Sequence, residues 1–507
     1  MKTRIPIAFQ PVANWPKLAW VGLYKRAAQK LTVMHGPYVE VRETWCAEAV
    51  WCGAFAEGEI DRASVIVGTG LRATAEGIVF VSSSDMLNRL FHQVSRDFIA
   101  VSNSLPALLA VTNSRLVTHF DYHQAMSSLI KGESDYLRML PTTTSQVHVT
   151  YLNNLLLTDD GLQERAKIDR TPDFESFADY RDFLYATARA LGANAADKDR
   201  SWPVETLASV SSGYDSTASA VLAREANARQ AVTVTKGRRS VGNLIDLKDS
   251  GYPVARALGL DCLELKRHRK NYPLEDTAWA GDGNVGDLIL SMFDTPEPLC
   301  LLFTGFNGDH VWSLTDKRGP LLRRIDTSGS RFSECRLHMG VFNCAPPYWG
   351  WRHIHQIQDL SGSPEMAPWR LGRDYDRPIP RRLLEEAGVD RNAFGMKKRV
   401  SSFNRMYGCP ISRNLREDFA RFLLAHEQRP LPGVLDVTAL CLRSLDRHLL
   451  AKLPRPLRLP IGGWIPVPEP TWFFLWSNER CRARYARGLD DAGLAALVGG
   501  DSVAASC

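Results

Sequence analysis

The sequence predicts an α/β protein, with a doubly wound parallel sheet preceded by a β-rich sandwich. Three observations carry that expectation. Short apolar runs alternate with helix-length segments between residues 207 and 303. Two of those runs end in small-residue loops, at 211–216 and 304–309. The first third has a different texture, with short β-branched runs and frequent turns.

In chain order, the runs 64–67, 78–82, 98–102 and 155–157, the last after an Asn153-Asn154 turn, read as strands of a sandwich domain over 1–170. Between Pro172 and Pro203, apolar residues recur at three- and four-residue spacing over 174–196. A helix is expected there, opening a second domain over 171–430. Strands follow at 207–210, 231–235, 261–265 and 299–303, with a short helix at 249–258 stopped by Gly259. Residues 431–507 read as a helical extension, with a helix over 434–453 and a proline-rich stretch over 454–470. The aromatic run 471–476 reads as core packing rather than a partner-binding patch.

Composition fits an ordinary enzyme. The 507 residues are 45% hydrophobic and 23% charged, with a formal charge of +6. The charge is modest, and no lysine/arginine block demands a nucleic-acid partner. Ten cysteines are scattered without a CxxC pair, which argues against a structural zinc site, and Cys262 and Cys300 fall in expected strands. No secretory segment opens the chain. The apolar patches of 460–477 are broken by Pro460, Pro466, Pro468, Glu469 and Pro470, so no membrane span of about 20 apolar residues forms. The expectation is a cytoplasmic protein.

The chemistry concentrates at Ser211-Ser212-Gly213-Tyr214-Asp215-Ser216-Thr217, between a strand and an alanine-rich helix. Backbone N–H groups, short hydroxyls and a helix dipole make such a junction a phosphate cradle. It has no lysine, which excludes a Walker-type loop. A serine-rich N-cap is the plainer reading. The second loop, Thr304-Gly305-Phe306-Asn307-Gly308-Asp309-His310-Val311-Trp312, ends another strand of the same expected sheet. Ligands of such sheets sit beyond the strands' carboxyl ends.

The first loop resembles the PP-loop of ATP pyrophosphatases, SGGxDS. The ordered pair of loops resembles the asparagine synthetase-like amidotransferases, which include asparagine synthetase B, β-lactam synthetase and the lasso-peptide macrolactam cyclases. The Gly-Asp-His ending is most similar to the cyclase type. The resemblance covers residues of about 180–430 well and the N-terminal third more loosely.

This resemblance implies the PP-loop (adenine nucleotide α-hydrolase-like) fold and ATP as the nucleotide. Ser211, Ser212, Gly213, Tyr214, Ser216, Thr217, Thr235 and Gly305 would lie around it. Asp215 would repel phosphate directly, so a bridging Mg²⁺ held by Asp215 and Asp309 is implied. In the basic stretch Lys397-Lys398-Arg399, Lys398, or Lys397 as the fallback, would neutralise departing pyrophosphate. The plainer reading of that stretch is a solvated basic face.

Two positions depart from the family pattern. Phe306 stands where asparagine synthetase B has glutamate and β-lactam synthetase tyrosine, so His310 or Glu365 is the candidate replacement base. Ser212 replaces the usual glycine. The resemblance also implies that the sandwich is a degenerate relative of an N-terminal-nucleophile (Ntn) glutaminase, supported by Val101-Ser102-Asn103-Ser104-Leu105-Pro106-Ala107. The chain begins Met1-Lys2-Thr3 and has no cysteine before Cys46, so glutamine hydrolysis is not expected. An unrelated β domain is the alternative.

The function implied is ATP-dependent amide synthesis. A carboxylate of a small molecule or peptide is adenylated, pyrophosphate leaves, and ammonia or an amine takes the acyl group, with or without a partner protein. A lasso-type macrolactam cyclase is one specific form of this. The alternatives are nucleobase thiolation, which lacks its usual cysteine pair and RNA-binding appendage here, and a degenerate nucleotide-binding scaffold.

Overall fold

Strand alternation builds the first third of the protein. In Trp20–Lys25, Trp20 and Tyr24 point into one apolar cluster while Val21 and Leu23 point into another, so both faces are covered. Trp20, Tyr24, Leu31, Val33, Ile99 and Val101 come from a seven-stranded sheet. They meet Cys46, Leu71, Ile78, Phe80, Leu155 and Leu157 of a six-stranded sheet. Trp20 stacks on Phe80 with ring centroids 6.1 Å apart. Each such side chain contributes about 1.5–3 kcal/mol on burial, and the two facing rows hold the sheets together as a sandwich.

The computed structural model describes residues 5–238, 246–266, 272–293, 298–314, 322–324, 326–373, 375–395, 409–430 and 468–494. The helix expected over 434–453 lies outside the described residues, as do Lys397 and Lys398.

The last sandwich strand is Gly161–Arg165. Helix α1 (Phe177–Ala195) begins with a capping box, in which Ser176 and Asp179 satisfy each other's backbone N–H groups. A parallel sheet follows, made of β1 (Val204–Val210), β2 (Gln230–Val234), β3 (Asp261–Leu265), β4 (Leu299–Phe303) and β5 (Val341–Cys344), in the order β3-β2-β1-β4-β5. The fold is therefore mixed α/β with a parallel sheet. Strand β4 is apolar throughout because both its faces are buried, Leu301 and Phe303 on one side and Cys300 and Leu302 on the other. Cys300 is fully buried and Cys262 only partly, and the described cysteines are free thiols.

Helix α2 (Asp215–Glu225) follows β1 and packs under α1. Gly192 permits this approach, since a Cβ there would fall 2.6 Å from the Ala226 carbonyl oxygen. Helices α3 (Tyr252–Ala257), α4 (Gly308–Val311), α5 (Pro378–Glu386) and α6 (Pro470–Asp491) complete the frame used below.

Sandwich and parallel sheet share one continuous core. Buried Arg336 makes two hydrogen bonds, of 2.7 and 2.9 Å, to the Glu48 carboxylate on the sandwich. Thr69 and Asn103 donate to the same carboxylate. Helix α6 also bridges the halves. The Trp15 indole donates to the Tyr485 carbonyl, Tyr122 stacks on Phe474, and Tyr485 donates to Glu334. The aromatic stretch of α6 is core, with Phe473, Phe474 and Trp476 buried. Among the described residues no helix is long and apolar enough to cross a membrane.

Candidate functional site

The strand order reverses between β1 and β4, and the loops leaving those two strands meet there. Glycine allows the contact. A Cβ on Gly305 would fall 2.3 Å from the Ser216 backbone nitrogen, and one on Gly308 2.7 Å from the Asp215 carboxyl carbon. Asn307 takes a left-handed conformation, φ +68°, to turn the second loop into α4.

A cavity of about 440 Å³ opens at this junction. Its lining includes the apolar residues Val232, Val234, Leu265, Ile289, Leu290 and Phe293. It also includes Ser211, Gly213, Ser216, Gly305 and five aspartates, Asp215, Asp249, Asp287, Asp309 and Asp326. A groove of about 580 Å³ lies on the sandwich edge instead. Its Arg62, Arg72 and Glu76 are paired with Glu59, Asp61 and Arg165, so no chemistry converges there.

The first loop is locally braced. The Ser211 and Ser216 hydroxyls share a 2.7 Å hydrogen bond, and the Gly213 N–H donates to Ser211 Oγ. Both residues border the cavity. Arg377 forms an ion pair with Asp215 that holds the guanidinium pKa above its ordinary value, the carboxylate outweighing burial, which lowers it. The Tyr375 hydroxyl accepts from the Tyr214 N–H, and burial, with Asp215 nearby, pushes its own pKa up. Arg381 of α5 donates to the Tyr214 hydroxyl.

The aspartates differ in environment. Burial raises Asp287 to about 6, against the opposing pull of Arg331 and of the Gly329 N–H. For Asp326 burial also raises the pKa, but the Ser328 N–H, Arg331 and Arg324 outweigh it and leave the carboxyl below its ordinary range. Asp249 accepts from both the N–H and hydroxyl of Ser212.

Of the residues expected from sequence, Ser211, Gly213, Tyr214, Asp215, Ser216, Gly305 and Asp309 border the cavity. Others turn away from it. The Ser212 hydroxyl is held 2.6 Å from Asp249. The Thr217 hydroxyl donates to the Gly213 and Tyr214 carbonyls behind the loop, and Thr235 donates to the Leu265 carbonyl.

Neither candidate base is at the site. The fully buried His310 ring takes the Arg323 N–H at 3.4 Å, on the inner side of α4. Glu365 accepts from the Phe177 N–H and pairs with Arg382. Burial raises its pKa, but these two partners together outweigh it and keep it low. Lys397 and Lys398 are outside the described residues; Gly395, just before them, donates its N–H to the Ser212 carbonyl.

Arg377, Tyr375, Asp287 and Asp326 are site residues that sequence reading missed. Tyr375 and Arg377 immediately precede α5, and only the fold brings them to Tyr214 and Asp215. No protein-family model matches the chain, and no curated protein matches its sequence.

Proposed function

We propose that this chain is an ATP-dependent amide synthetase of the asparagine synthetase-like, PP-loop kind. The observation that carries the reading is the pair of interlocked glycine loops at the reversal point of a parallel sheet, bordering one cavity that apolar residues also line. The apolar residues of the lining suit a purine ring. The Ser211–Ser216 turn and the N-terminus of α2 suit phosphate oxygens. A substrate carboxylate oxygen attacks the α-phosphorus, and the bond to the β-phosphate oxygen breaks with its electron pair leaving on pyrophosphate. An amine nitrogen then bonds to the acyl carbon, AMP leaves with the electron pair of the C–O bond, and the amine proton goes to a base.

The residues present fit Mg²⁺. Asp215 and Asp309 both border the cavity. No three His, Cys, Asp or Glu side chains among the described residues are grouped to hold an ion alone. Two carboxylates suit an ion that completes its shell with phosphate and water. Bound there, it would neutralise phosphate charge, and Lys398 would serve the departing pyrophosphate. By the same reading the sandwich is a glutaminase-like scaffold.

The test is product analysis with ATP, Mg²⁺ and a pool of carboxylates and amines. AMP and pyrophosphate are expected, and Asp215→Asn, folded by circular dichroism, should abolish them. ADP and orthophosphate would overturn adenylation. The second reading, a scaffold that binds nucleotide without chemistry, has Phe306 and the Asp215–Arg377 pair in its favour. It predicts ATP binding with no pyrophosphate release.

A further inference from the structure

We propose that Asp287 is the base that takes the proton from the acceptor amine, a role Phe306 cannot fill; this rests on the amide synthetase reading above. Phe306 and Asp287 border the same cavity and both engage one residue, Gly329. The Phe306 ring packs so closely on Gly329 that a Cβ there would fall 2.7 Å from the ring. The Gly329 N–H donates to Asp287 Oδ2 at 2.6 Å. Asp287 is only 4% exposed, and among the described residues its other carboxylate oxygen takes no hydrogen bond from the protein. One oxygen is thus anchored, and the other is available to a ligand in the cavity.

The neighbours favour Asp287 over the other acids. Burial raises the Asp287 pKa and outweighs the downward pull of Arg331, which is itself ion-paired with Asp282 at 3.0 Å and donates to Thr327. Asp282 and Asp326 add negative charge around Asp287. Asp326 is tied down by the Ser328 N–H and by the charges of Arg324 and Arg331. Asp249 is committed to Ser212. A carboxyl poised near neutrality accepts a proton more effectively than one held low. The acidic surroundings also favour an acceptor that arrives as an ammonium ion.

In the step, Asp287 takes one proton from the ammonium and frees the nitrogen lone pair. The nitrogen then bonds to the acyl carbon, AMP departs with the C–O electron pair, and the surplus proton on the nitrogen leaves to the departing phosphate or to solvent. Solvent later removes the proton from Asp287. A basic amine needs this transfer, whereas a weakly basic amine that is already neutral at pH 7 needs it far less.

The experiment compares Asp287→Asn with wild type in two assays. The first is ATP–pyrophosphate exchange with a pool of amino acids and dicarboxylates, which reads adenylation alone. The second is capture of the activated acyl group by methylamine or by methoxyamine. The variant should retain exchange within about threefold and methoxyamine capture within about tenfold, yet lose methylamine capture by about 10²–10⁴-fold. In wild type, methylamine capture should fall as Asp287 is protonated below about pH 6. That profile supplies a test even if the variant misfolds. Unchanged methylamine capture in a folded variant, or no acidic limb in wild type, overturns the assignment alone. Loss of both captures in equal measure indicates a structural role and also overturns it. No exchange in wild type overturns the synthetase reading, and this inference with it.

Discussion

Replacing Gly305 by alanine should separate the two loops that form the site. A Cβ at this position would lie 2.3 Å from the Ser216 nitrogen and 2.4 Å from the Asp215 carbonyl carbon, where ordinary contact begins at 3.4 Å. The overlap of about 1 Å falls on backbone, which has no rotamer to move into. Overpacking of this kind costs about 1–3 kcal/mol. A shift of about 1 Å at reacting groups costs about 100-fold in rate. Gly213→Ala is the contrasting variant. Its Cβ would meet only the ends of the Ser211 and Tyr375 side chains, both at 3.3 Å, so stability should change by less than about 0.5 kcal/mol. It would still obstruct close approach of phosphate to the backbone, and nucleotide affinity should drop about tenfold, or about 1.4 kcal/mol. Guanidinium unfolding followed by tryptophan fluorescence, together with titration of a fluorescent ATP analogue, reads both effects. A Gly305→Ala protein with wild-type stability and wild-type turnover would refute the contact argument.

Two further predictions concern stability. Glu48→Gln removes the charge that balances Arg336 in a fully buried setting, and should cost about 3–5 kcal/mol in chemical unfolding; a loss under about 1 kcal/mol would contradict the pairing. Asp287→Asn should stabilise the protein at pH 7.5, measured as a higher unfolding midpoint. A carboxyl raised to about 6 from its ordinary 3.8 holds its proton in the folded state over a range where the unfolded chain has released it. Its contribution to stability is therefore fully present below about 3.8 and is lost as pH rises through about 6. The native carboxylate is left unfavourable by up to about 3 kcal/mol at neutral pH. The advantage of the asparagine variant should vanish near pH 3.5, and an advantage independent of pH would refute the linkage.

The sequence exposed the features that depend on local chemistry. The strand-loop-helix junction at 207–217 is written in small residues and alanines, and β4 in an unbroken apolar run, so both were visible. Hydroxyl directions were not. Thr217 bonds to carbonyls three and four residues back, a competition that any helical threonine enters whatever its neighbours. Strand β5 was missed because four residues containing an asparagine give no pattern. Trp20–Lys25 was missed because burial on both faces erases alternation. Arg377 and Asp287 were missed for another reason: their meaning lies in Asp215 and Gly329, which are distant in sequence, and only the folded chain supplies those partners.

The bridging helix α6 has a consequence during synthesis. Tyr122 donates its N–H to Thr471, 349 residues further along. Ribosomes add about 5–20 residues per second, so roughly 20–70 s pass between the emergence of these two partners. Throughout that interval Trp15, Tyr122 and their apolar neighbours await the helix that covers them in the finished protein. The sandwich leaves the ribosome first with a bare sticky flank, which gives chaperones a reason to bind the nascent chain until α6 arrives.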